Sequence, residues 1–260
     1  MMSGRPSTIY WLMRGVLLES IRRRETSVVA LFMGLFAVGA VIARVVGAES
    51  EAAATFIINL GMSLAWILSM IVTILLAGRQ FPDEQEQRSL YPLLAKPVSR
   101  SQYILGKWLA VWLIGSLTAA ALNVLALATA PWPGSVSPGL LMQALGLEVI
   151  AIGVAAAVAI VLSINVPKAL TFVLCGLLVF AGGPLLNLVK GRAGMGRGGR
   201  AWQWLLDYVP DFGRLDLLNQ FSGGADSLGL QDFAGRIIVG LLTIGVAIAG
   251  AVWLMERRSL

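Results

Sequence analysis

No histidine occurs among the 260 residues, and cysteine occurs once, at Cys175. The first absence removes His-ligated haem, His-containing zinc sites and Ser-His-Asp chemistry within this chain. The second excludes an intramolecular disulfide, and the apolar neighbours of Cys175 suit packing better than reactivity. Charge is scarce as well. Asp, Glu, Lys and Arg make up 13% of the chain, against about 25% in soluble domains. No G-x-x-x-x-G-K-[ST] run occurs, so the chain carries no Walker-type ATP site of its own. Apolar residues, 57% of the total, fill the space. A soluble domain could bury so many only by hiding nearly everything, whereas a chain in lipid keeps an apolar outer surface at no cost. The net charge of +6 fits the basic cytoplasmic loops that orient membrane proteins, and no aromatic-basic motif points to nucleic acid.

Six apolar runs approach or exceed the roughly 20 residues that span hydrocarbon. They fall at 26–46, 55–78, 104–130, 139–164, 169–189 and 235–255. With both termini inside, the basic residues Arg5, Arg14, Arg22 to Arg24, Arg79, Arg88, Lys96, Arg100, Lys107, Lys168, Arg257 and Arg258 lie in the cytoplasm. The first outer connection then holds only Arg44, and 131–138 holds no lysine or arginine. The outer segment 190–234 is basic too, but long translocated segments obey the rule less strictly, and acids are mixed into it. Trp108, Trp112, Trp132 and Trp253 sit near span ends, as an interfacial belt asks. Trp66 falls mid-span and suits helix packing.

The stretch 1–25 reads as an amphipathic helix on the cytoplasmic face. Thr8, Gly15, Glu19, Arg22 and Arg23 share one side, and Tyr10, Met13, Leu17 and Ile21 share the other. A cleaved signal sequence is the rival, but cleavage would leave an odd number of spans. Between spans two and three, Gly78-Arg79 is expected to end a helix. Pro82, Asp83, Glu84 and Glu86 then crowd what reads as the first turn of a short cytoplasmic helix. Ser99-Arg100-Ser101-Gln102 restarts the chain with a capping-box pattern that leads into span three. An apolar face held at the cytosol in this way wants a protein partner.

Other signals are weaker. Gly194 to Gly199 satisfies G-x-G-x-x-G without the strand and helix a dinucleotide site needs. Glu148 is the acid that lies well inside an apolar run. It either lines a polar path between helices or is simply paired with another polar group. Asn59, Asn123 and Asn187 pose the same choice less sharply. Gly182-Gly183-Pro184 is expected to kink span five. Stretches 202–208 and 212–221 suit short helices on the outer face.

The run Leu93-Leu94-Ala95-Lys96-Pro97-Val98-Ser99-Arg100, followed by Gly106-Lys107, resembles ABC-2 type transporter permeases, in particular the branch associated with multicopper-enzyme maturation. Pro210-Asp211-Phe212 and Leu215-Asp216-Leu217 are also similar to that branch. The resemblance implies an all-α membrane protein with an elbow helix over 1–25 and a six-span domain over 26–255. A coupling loop over 79–103, short outer helices within 190–234 and a cytoplasmic tail over 256–260 complete the layout. It further implies a permease subunit in the bacterial inner membrane, more an exporter than an importer, paired with a second permease copy or a related permease. A separate ATPase subunit would bind ATP and Mg, with no cofactor, metal or catalytic site in this chain. By that resemblance Asp83, Glu84, Glu86 and Arg88 would lie at the ATPase docking surface, and Pro97, Arg100 and Lys107 would fix its connection to span three. Asn59, Asn123 and Glu148 are the candidates for a translocation path. The rivals are a secondary transporter, for which only Glu148 speaks, an intramembrane enzyme, for which no nucleophile and base are at hand, and a membrane anchor of an assembly complex.

Overall fold

The computed structural model describes residues 51–86, 99–129, 137–182, 212–217 and 227–257, with helical positions 34, 37–39 and 41 before them. Every regular element among these is helical. Helix α1 is Glu51–Glu86, α2 is Arg100–Thr129 and α3 is Pro138–Asn165. Helix α4, Lys168–Gly176, widens into a π turn over Leu177–Ala181. The short α5 is Phe212–Leu215 and α6 is Leu230–Arg257. Four of them, α1, α2, α3 and α6, are long and apolar enough to cross a membrane. They coincide with the second, third, fourth and sixth runs read from the sequence. The fifth run is met by the apolar stretch Lys168–Ala181. The elbow and most of the first span lie outside the described residues, as do 87–98, Gly183-Pro184, the Gly194 to Gly199 run, Trp132 and the 202–208 stretch.

Helix α3 is the axis of the bundle. It touches α1, α2, α4, α5 and α6, and its stretch from Ala151 to Ala157 is buried throughout. Small residues permit that crowding, since helices in lipid associate by close packing rather than by escape from water. A Cβ on Gly153 would sit 3.0 Å from Ile244 and 3.3 Å from the Trp112 indole nitrogen. Helix α6 is the opposite case, turning Ile238, Val239, Leu242 and Val246 outward. Such a surface is a liability in water and normal against acyl chains.

Local chemistry sets the helix ends. Ser137 caps α3, its hydroxyl accepting from the Leu140 amide at 3.2 Å, with Pro138 in the first turn. Val166 is extended, at φ −118° and ψ 139°, as a residue before proline must be, so Pro167 separates α3 from α4. The forward half of the expected capping box is present, with the Gln102 amide donating to the Ser99 hydroxyl at 3.3 Å. At the far end of the bundle Gln143 both donates to the Leu228 carbonyl, at 3.0 Å, and accepts from the Leu228 amide, at 2.8 Å. That amide clamp fixes the start of α6 to α3. Helix α5 folds onto α3, burying Phe212, Leu215 and Leu217.

Two expectations need correction. The helix end placed at Gly78-Arg79 does not exist, because α1 runs unbroken through Pro82 to Glu86. Proline in a helix removes one backbone donor, here the one that would reach the Gly78 carbonyl, but its fixed φ is helical. Near the C-terminus of a 36-residue helix the loss falls on a single bond, and buried Phe81 and Ala77 hold the turn in place. Residues 79–86, read from the sequence as part of a loop over 79–103, are therefore helical. Second, Trp108 and Trp112 do not present their polar edges to headgroups. Their rings stack at 5.3 Å and 8°, and their indole N–H groups donate to the Gly153 and Val149 carbonyls at 3.0 and 2.9 Å. They are ties between α2 and α3. Trp66 packs edge-on against Phe180 at 5.9 Å, in line with its packing role. Trp253, half exposed beneath Arg257 at 3.9 Å, keeps the surroundings expected of a belt residue.

Candidate functional site

Helices α1, α2, α4 and α6 meet at one end of the bundle, and three of the residues predicted for coupling lie there. Lys107 is 2% exposed, and its ammonium donates to the Gln80 carbonyl at 3.1 Å. The same nitrogen stands 4.8 Å from the ring centres of both Phe81 and Tyr103, which meet edge to face at 5.9 Å. A buried cation is costly unless its charge is met. Aromatic faces are worth up to about 2 kcal/mol each when desolvated, and a carbonyl dipole adds to them. The lysine thus fastens the end of α1 to the first turns of α2.

Arg100 donates to the Met255 carbonyl in the last turn of α6, where carbonyls lack helical partners and the helix dipole favours a cation. Asp83 meets Lys168, at the start of α4, at 3.6 Å. With the lysine side chain 46% exposed, that pair contributes at most about 1 kcal/mol. Glu84 and Glu86 belong to the last turn of α1, while Arg88 and Pro97 lie outside the described residues. The position of the two glutamates overturns the view that they open a helix. Stabilisation of a positive helix start therefore does not account for them.

A second polar set lies within the bundle. The Glu148 carboxyl is 6% exposed on α3. Asn123, 2% exposed on α2, donates its amide to Oε2 at 2.7 Å, and the Ser69 hydroxyl of α1 stands 3.3 Å from Oε1. Thr73, one turn from Ser69, donates to the Ser69 carbonyl at 2.7 Å. Its hydroxyl fits because Gly115 faces it, where a Cβ would press on both Thr73 and Ile152. Two of the three predicted path residues, Asn123 and Glu148, are thereby brought together. Asn59 is not part of the set, and its Oδ1 is buried without a partner. Ten residues at 100° each leave it about 80° around α1 from Ser69. The sequence reading missed Ser69 and Thr73, although their i, i+4 spacing marks a polar strip on an otherwise apolar helix.

The family model of ABC-2 family transporter proteins matches residues 21–182. The chain belongs to this family. The match covers α1 to α4 with the π turn, so Asp83, Arg100, Lys107 and the Glu148 set lie inside it, while α5 and α6, with Met255, lie beyond its end. A search of curated proteins returns no match. The chain is thus an ABC-2 family transporter membrane protein, a permease with several helices long and apolar enough to cross a membrane.

Proposed function

We propose that this ABC-2 permease is the membrane subunit of an ATP-driven exporter, worked by a separate ATPase subunit that binds ATP and Mg and leaves this chain without catalytic or cofactor sites. The end of the bundle bearing Asp83, Arg100 and Lys107 faces the cytoplasm in this reading, as do both termini. The permease pairs with a second copy or a related chain in the bacterial inner membrane. The multicopper-maturation branch stays part of the proposal through the Leu93 to Arg100 run.

One observation supports the coupling role most directly. Helix α1 continues past its apolar stretch to Glu86, and that end is joined to α2 through Lys107 and to α4 through Asp83. A push on the end of α1 is delivered to two other helices at once. Glu84 and Glu86, which do not stand at a helix start, suit a basic surface on a partner. Glu84→Lys with Glu86→Lys is expected to express normally yet lose ATPase association and transport, with partial recovery from acidic changes on the ATPase. Co-purification and transport assays decide it, and full ATPase binding by the double variant would refute the assignment. Cysteine labelling at Gln85 in a Cys175→Ser background tests the orientation. Labelling from outside the cell would invert it.

A further inference from the structure

We propose that the outward stripe of α6 binds an anionic phospholipid, with Arg257 and Trp253 holding the phosphate and one acyl chain lying along Ala249, Val246 and Leu242. The inference requires that α6 cross a bilayer and does not depend on the ATPase reading. Val239, Leu242, Val246, Ala249, Trp253 and Arg257 follow one another at steps of three or four. At 100° per residue they form one stripe within about 80° of the helix surface. All of them are exposed, Val246 at 74% and Trp253 at 50%. The stripe is apolar along its length and cationic at its end.

Its dimensions are those of a lipid leaflet. Between Arg236 and Glu256 the helix carries no charged residue. Those twenty steps rise about 30 Å, the thickness of the hydrocarbon core. Arg257 therefore stands at a headgroup boundary. Leu242 lies eleven steps before Trp253, about 16 Å, which is the depth of one leaflet. Between Val246 and Trp253 the stripe narrows to Ala249, with Gly245 and Gly250 on either side of it. A Cβ on either glycine would meet nothing within 4 Å. This shallow notch beside a projecting indole suits a methylene chain.

The phosphate end is open and charged. The Arg257 guanidinium lies 3.9 Å over the Trp253 ring, and no carboxylate among the described residues meets it. The half-exposed indole N–H has no acceptor among those residues either. One donor over the ring face and one at its edge are close enough to hold two oxygens of the same phosphate. Arg100 offsets the negative end of the helix by donating to the Met255 carbonyl. Glu256 lies 100° around α6 from Arg257, and Arg258 follows immediately in sequence. A second copy of the chain fits this face poorly. A twofold axis along the membrane normal would set the two Arg257 side chains at the same depth, like charge facing like. An anionic lipid brings the opposite charge and the apolar chain together, and each basic residue at the surface raises its affinity about fivefold.

Photolabelling of the full chain in nanodiscs tests this. The bilayer is phosphatidylcholine with a minor fraction of phosphatidylglycerol bearing a diazirine on its acyl chain, and adducts are mapped by peptide mass spectrometry. Adducts are expected between Leu242 and Trp253, about fivefold above those from phosphatidylcholine carrying the same diazirine. Arg257→Gln, a surface change in the last turn, is expected to remove that excess. Trp253→Phe keeps the ring, loses the N–H and is expected to lower the excess about twofold. It carries the test by itself should Arg257→Gln not accumulate. Arg236→Gln, at the opposite end of α6, is expected to leave the excess intact, and inorganic phosphate to compete no better than chloride at equal ionic strength. Equal labelling by the two lipids would mean ordinary solvating lipid. An excess that survives both Arg257→Gln and Trp253→Phe would put the phosphate elsewhere. Loss to inorganic phosphate would make the site one for a free anion, and an unlabelled stripe would mean that protein covers it. Each of these results overturns the proposal.

Discussion

Lys107 and Glu148 are both ionisable and both hidden, yet the bundle accommodates them by different means. At the α1–α2 joint the lysine lies against two ring faces and a carbonyl, partners that suit a cation. In the bundle interior the glutamate meets an amide and a hydroxyl on two other helices, partners that can be withdrawn one at a time. The joint is a fastening. The interior set is a contact among three elements, and it depends on small residues to bring those elements close.

The contrast gives a graded set of substitutions. The largest loss is expected at Lys107→Glu, which sets an anion against two π faces and a carbonyl. Breaking a buried charged contact costs about 3–5 kcal/mol, and inverting it is no cheaper, so the variant should fail to accumulate or unfold far below the wild type in a thermal scan. Lys107→Met, which keeps the length and removes the charge, should recover part of that loss. If the two variants behaved alike, packing rather than charge would hold the joint. An intermediate effect is expected at Gly115→Ala. Its new methyl would lie 2.7 Å from Ile152 and press on Thr73, an overpacking cost of about 1–3 kcal/mol. Melting should therefore fall by several degrees, with Thr73→Ser relieving little because the crowding involves Ile152 as well. The smallest change is expected from Asp83→Asn. It leaves the joint assembled and removes a half-exposed pair worth at most about 1 kcal/mol. A large drop there would make the α1–α4 contact, and not Lys107, the principal fastening.

The apolar runs gave the positions of α1, α2, α3 and α6 to within a few residues over their hydrocarbon portions, because long hydrophobic periodicity has few other physical meanings. The joint was harder to read. Pro82 looks like a helix start in one dimension, and only the packing of Phe81 and Ala77 reveals a helix that continues through it. Lys107 was found as a basic residue near a span end, but its two aromatic partners come from separate helices, and no spacing rule joins Phe81 to it across 26 positions of sequence. Within the bundle, Glu148 and Asn123 stood out because charge and amide are rare in apolar runs. Ser69 did not, since a lone hydroxyl in a membrane helix commonly satisfies its own backbone. The indoles of Trp108 and Trp112 misled for a related reason. A tryptophan near a span end suits lipid headgroups and a neighbouring carbonyl equally well, and only the approach of α3 at Gly153 decides between them.

The bond from Arg100 to the Met255 carbonyl joins positions 155 residues apart in sequence. In a chain made from its N-terminus onward, α2 enters the bilayer long before α6 has been synthesised. During that interval the guanidinium of Arg100 has no helix end to cap and must stay at the water boundary, where it holds α2 upright as an anchor. When α6 arrives, the carbonyl of Met255 in its last turn takes the place of water at that arginine. One side chain thus serves first in insertion and then in the finished fold, and the changeover marks the point at which the bundle is complete.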